Sequence, residues 1–147
     1  MESLCPLSLT PVRGTHSGRY VRRMGKGEDG PTPEQFFNGS PAGLRLYGAV
    51  EKAVGAIGEG SITVMKSQIA FGRRKRFAYL WRPGQYLHSD VPAVLSIALP
   101  YEVASHRIKQ VAHPSATVWM HHLELHHVDE LDDEVRAWLV DAFNNAS

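Results

Sequence analysis

The run His121-His122-Leu123-Glu124-Leu125-His126-His127 gathers side chains able to do chemistry. Two imidazoles and a carboxylate are a ligand set for zinc or non-haem iron, and on a strand His122, Glu124 and His126 share one face. Geometry argues against one shared ion, because side chains at i and i+4 on a strand stand about 13 Å apart. The spacing is also not the helical His-Glu-x-x-His of a zinc protease. A polar strand face with no metal is therefore expected. His121 falls on the opposite face, with Trp119, Leu123 and Leu125. It reads either as a hydrogen-bonded core residue or as the wall of a pocket between sheet and helix.

A second chemistry is offered by the basic stretch. Between Lys66 and Arg82 lie six basic residues (Lys66, Arg73, Arg74, Lys75, Arg76 and Arg82) and no acid. The run Arg73-Arg74-Lys75-Arg76 sits at an expected strand connection, beside Phe71, Phe77, Tyr79 and Trp81. Cations interleaved with aromatic rings are what single-stranded nucleic acid requires: phosphate contacts and stacking platforms. The alternative is a solvated hairpin tip that blunts a sheet edge, with the aromatics facing the core. From Glu124 to Asp141 there are seven acids against Arg136 alone. An acidic protein surface, including another copy's C-terminal helix, is thus a further candidate partner. A net charge of +1 divided this way excludes a general polyanion binder and leaves room for one local basic edge.

Other catalytic sets are absent. There is no phosphate-binding Gly-x-x-x-x-Gly-Lys-Ser/Thr loop and no Gly-x-Ser-x-Gly elbow, and the tail glycines, Gly25-x-Gly27-x-x-Gly30 among them, follow no expected strand. The single cysteine, Cys5, excludes an internal disulfide and any multi-cysteine zinc site. The leading reading is a non-catalytic binding or regulatory module that associates with nucleic acid through Lys66, Arg73, Arg74 and Arg76. One rival is a small-ligand or metal-dependent enzyme centred on His121, His122 and Lys66, with Trp119 beside them. The other is a homo-oligomeric interaction module, a homodimer in its simplest form. No cofactor is expected.

These residues need elements to position them. The chain has 147 residues, 43% hydrophobic and 21% charged, which is a single globular domain. Residues 1–30, with Gly14, Gly18, Gly25, Gly27 and Gly30, show neither a 2.0 nor a 3.6 period and read as a flexible tail. The domain then occupies 31–147. Thr32-Pro33-Glu34-Gln35 has the form of a capping box, and Ser40-Pro41 repeats a helix start. Leu44, Tyr47, Val50, Val54 and Ile57 follow at helical spacing, with Gly58 as the stop. Strands are expected at Ile62–Val64, Ile69–Phe71, Phe77–Trp81 (Phe77, Tyr79 and Trp81 on one face), Leu95–Leu99 and Thr117–Leu125. Val135, Trp138, Leu139, Ala142 and Phe143 form the core stripe of a last helix, capped by Asp129 or Asp132. The expected fold is α+β: a mostly antiparallel sheet of four to five strands covered by an N-terminal helix pair and a C-terminal helix. No apolar run approaches the ~18 residues of a membrane span. The opening Met1-Glu2-Ser3-Leu4-Cys5-Pro6 lacks the basic and apolar regions of a signal peptide, so a cytoplasmic protein is expected.

Three landmarks resemble a bacterial family, domain of unknown function 5655. They are Lys66–Phe71 with Phe77–Trp81, Ser105-His106-Arg107-Ile108 with Trp119-Met120-His121-His122, and Asp129-Glu130-Leu131-Asp132 before an amphipathic helix. The resemblance runs over about residues 32–146. It implies a small α+β protein, a fold that in some members is fused to nuclease-like domains, and it implies no particular activity. Many relatives of this architecture also begin with a short zinc-ribbon-like segment. Here Cys5-Pro6 and His16-Ser17 stand as its remnants, and one thiolate with one imidazole cannot close a tetrahedral site.

Overall fold

The computed structural model describes residues 20–23, 31–85 and 90–147. The zinc-ribbon remnants and most of the expected tail lie outside the described residues. The first two helices start where the capping signals place them. Thr32 and Gln35 form a reciprocal capping box over the single-turn helix α1 (Pro33–Phe36). Ser40 Oγ accepts the Gly43 N–H at 3.1 Å and caps α2 (Pro41–Gly55). Gly39 between them has φ 82°, a conformation that costs glycine nothing.

Among the described residues the sheet has seven strands, ordered β1-β2-β3-β4-β5-β7-β6. They are β1 (Tyr20–Arg23), β2 (Gly60–Val64), β3 (Ile69–Gly72), β4 (Arg76–Trp81), β5 (Ala93–Leu99), β6 (Gln110–Ser115) and β7 (Val118–Leu125). From β2 to β7 all pairings are antiparallel, and β1 adds to the β2 edge in parallel. The chain therefore exceeds the four to five strands expected. The uncounted β6 reads Gln-Val-Ala-His-Pro-Ser, mostly exposed and pairing only with β7. An edge strand that buries no face has no alternating apolar pattern to betray it, and it tolerates Pro114. The other uncounted strand, β1, falls within the stretch read as a tail. The N-terminal helix pair reduces to α2 with one preceding turn.

One face of the sheet is covered. Residues Ile62, Phe71, Leu80, Leu95, Ile97 and Leu123 meet Leu46, Val50 and Val54 of α2 and Val135, Leu139 and Phe143 of α3 (Asp133–Asn145) in a common core. The β3–β4 ladder contains a bulge: Phe71 faces Ala78 but Gly72 faces Arg76, so Phe77 is the extra residue. The bulge re-aims Phe77. Phe77 is 1% exposed, with its ring 5.6 Å from that of Phe143, while Tyr79 and Trp81 stay half-buried. The three aromatics thus do not share a face, as strict alternation would have required.

Helix α2 is seated by a close approach. A methyl group on Gly43 would stand 2.4 Å from Phe37 Cδ1 and 2.9 Å from the capping Ser40 Oγ. Gly43→Ala is therefore expected to destabilise the fold by about 1–3 kcal/mol through overpacking, against the roughly 1 kcal/mol that alanine gains in helix propensity. Urea unfolding measures the sign. An unchanged or higher midpoint would mean that Phe37 yields freely.

Candidate functional site

The opposite face of the sheet carries the candidate site. Register aligns Tyr79 with Ser96 and Ser96 with His122, a row across β4, β5 and β7. Trp81 stands diagonal to Ser96, within reach of a long side chain. These residues, with Met120 and with Ser67 and Gln68 from the β2–β3 turn, line a cavity of about 470 Å³, within the range of small-ligand sites. The wall has aromatic surface, a thioether, hydroxyls, an amide and an imidazole, but no carboxylate and no ammonium or guanidinium group.

Three of the side chains are joined in sequence. The Trp81 Nε1–H donates to Ser96 Oγ at 3.0 Å, and Ser96 Oγ lies 2.7 Å from His122 Nδ1. Ser96 is 3% exposed, so this pairing is its alternative to an unsatisfied buried hydroxyl. Burial, and to a lesser extent the neighbouring His121, lowers the His122 pKa from the ordinary histidine value of 6.5. The ring is uncharged at neutral pH. Because protonation is easier in the unfolded chain, stability from this residue is complete above pH 6.5 and is lost as pH falls through the lower folded value. The melting temperature should therefore drop between pH 7 and pH 5, and His122→Gln should flatten that drop. An equal drop in the variant would assign the acid sensitivity elsewhere.

The two adjacent histidines part company. His121 is 1% exposed in the core, where its Nε2 accepts the Val103 N–H at 2.9 Å and its Nδ1 lies 3.3 Å from the Ile97 carbonyl. It does not line the cavity, so His121, His122 and Lys66 do not form one cluster. Trp119 stacks on His113, ring centroids 4.0 Å apart, and is also not a cavity residue. His126 and His127 lie beyond β7, and their backbone N–H groups donate to Glu130 Oε1. Among the described residues no three His, Cys, Asp or Glu side chains converge as metal ligands.

The basic stretch also divides. Arg73 Nη1 donates to the Phe143 carbonyl at 3.3 Å and its guanidinium lies 4.4 Å above the Phe143 ring. The backbone N–H groups of Arg74 and Lys75 donate to the Ala146 carbonyl. This turn thus caps the C-terminus of α3, where carbonyls lack helical partners and a cation is favoured. Basic hairpin and C-terminal helix meet within one chain. Arg76 does something else: its Nη1 comes within 3.8 Å of Met65 Sδ, reaching toward the turn that supplies Ser67 and Gln68. Lys66 sits exposed in that turn.

Sequence reasoning picked out Tyr79, Trp81 and His122 but missed Ser96. Its signal was present, as the lone polar residue in the apolar strand Ala-Val-Leu-Ser-Ile-Ala-Leu. A second missed residue, Arg107, joins two of the landmark segments. It donates to Asp132 at 2.7 Å, to Glu134 at 3.2 Å and to the Glu130 carbonyl. That contact holds the β5–β6 connection against the start of α3, where Asp132 caps Val135. Its Asp132 hydrogen bond lowers the Asp132 pKa and raises its own.

A family described as a domain of unknown function (DUF5655) matches residues 34–146. Neither a curated protein nor a solved structure gives a significant match to the chain.

Proposed function

From the premise that the chain belongs to the DUF5655 family, whose description names no activity, we propose that it is a non-catalytic binding module. Its cavity takes a base of single-stranded nucleic acid or of a nucleotide. One observation carries the reading: two partly exposed aromatic rings, Tyr79 and Trp81, line a cavity whose remaining polar groups are uncharged hydrogen-bonding partners. Stacking on such rings contributes about 1–3 kcal/mol per base. A charged ligand group is better served outside the cavity. Lys66 is in the turn at its rim, and Arg76 reaches the Met65 end of the same turn.

The Ser96–His122 contact resembles a nucleophile with its base, but two features favour binding over catalysis. Ser96 is almost wholly buried, and its oxygen already accepts the Trp81 N–H, which withdraws electron density from a nucleophile. Ser96 therefore serves to hold the imidazole.

Fluorescence anisotropy with a short labelled single strand tests the reading. Two phosphate contacts, from Lys66 and Arg76, give a slope of log affinity against log salt of about −1.4. Trp81→Ala should weaken binding by roughly 5- to 150-fold, the equivalent of one lost stacking contact. Affinity unmoved by Trp81→Ala, or absent at low salt with folded protein, would contradict the proposal.

A further inference from the structure

The hydrogen-bonded row beneath the cavity has a direction, and that direction selects the ligand. An indole N–H can only donate. Trp81 therefore occupies one lone pair of Ser96 Oγ. Ser96 has a single hydrogen to place, and among the described residues the other group bonded to its oxygen is His122 Nδ1. If Nδ1 also carried hydrogen, the Ser96 hydroxyl would be left without an acceptor at a site only 3% exposed. The donor-only group at one end thus sets each link: Trp81 donates to Ser96, Ser96 donates to Nδ1, and the imidazole hydrogen is placed on Nε2. Among the described residues Nε2 of His122 has no hydrogen-bond partner, and His122 is part of the cavity wall.

The other polar wall groups are adaptable. The hydroxyls of Ser67 and Tyr79 and the amide of Gln68 can each give or accept a hydrogen bond, and Met120 has no hydrogen to give. His122 is the fixed donor. We infer that the cavity selects bases with a carbonyl at pyrimidine C4 or purine C6 over bases with an amino group at that position, with His122 as the residue that reads the oxygen and with Ser96 and Trp81 as its positioning residues. This rests on the proposed function and narrows it. The oxygen at that position, O4 of uracil or O6 of guanine, accepts the Nε2–H. An amino group at that position, N4 of cytosine or N6 of adenine, sets N–H against N–H and leaves both unpaired. One hydrogen bond gained against two unpaired donors corresponds to about tenfold in affinity.

Two measurements on the full chain decide it. Calorimetric titration at pH 7.5 compares uridine with cytidine monophosphate, and guanosine with adenosine monophosphate. The keto member of each pair should bind about tenfold tighter. Nitrogen-15 NMR of the unsubstituted protein reports the His122 tautomer directly, and hydrogen on Nε2 is expected. Trp81→Phe keeps a stacking ring and removes the donor-only group, so the keto preference should shrink toward equality while binding persists. Equal affinities, a preference that survives Trp81→Phe, or hydrogen on Nδ1 overturns this inference and leaves the binding reading standing. Failure of all four nucleotides to bind overturns both.

Discussion

Replacing Trp138 by alanine is expected to destabilise the domain by about 3–5 kcal/mol. That is a large part of the roughly 5–15 kcal/mol that holds a domain folded. Trp138 and Leu139 are 8% and 0% exposed, on the α3 face that packs over β4 and β5. The loss combines apolar surface returned to water with a cavity the neighbours cannot close. Val140 on the same helix is 37% exposed and provides the comparison. Its alanine variant should stay within about 0.5 kcal/mol of the parent. Urea unfolding should show a lower midpoint for Trp138→Ala at nearly the same slope. Equal midpoints for the two variants would mean that α3 is not seated by this face.

The second large effect separates the paired histidines. His121→Ala removes the acceptor of the Val103 N–H and empties a site 1% exposed. The orphaned donor alone costs about 1–3 kcal/mol, and the cavity adds to it. His122→Ala lies on the open face and is expected to cost less stability while weakening ligand binding. Thermal unfolding and nucleotide titration of both variants should therefore rank them in opposite orders. Identical ranking in the two assays would remove the distinction between a core histidine and a cavity histidine.

Local signals in the sequence were enough for the helices. The Thr32 capping box, the Ser40 cap, and the stripe Val135, Trp138, Leu139, Ala142 and Phe143 depend on neighbours three or four residues away, and the fold realises each of them. The alternation of β7 likewise separated His121 from His122. What could not be read depends on pairing between distant segments. The bulge that turns Phe77 inward exists only in the β3–β4 register. Ser96 and His122 are 26 residues apart, and their contact follows from which strands lie adjacent. Which of the four consecutive basic residues stay available could not be read, because sequence does not show that the C-terminus of α3 arrives beside Arg73. Once it does, helix capping claims that cation, and Arg76 is directed along the sheet.

The central claim is that a base docks on the Trp81–Ser96–His122 row. The most direct measurement is a two-dimensional NMR titration of the full chain with a short single-stranded oligonucleotide, following the Trp indole and His imidazole signals. Saturable shifts of Trp81 and His122 are expected, with Trp138 and His121 unmoved in the core. Shifts confined to Arg73–Lys75 at the end of α3, or no shifts in folded protein at low salt, would contradict the claim.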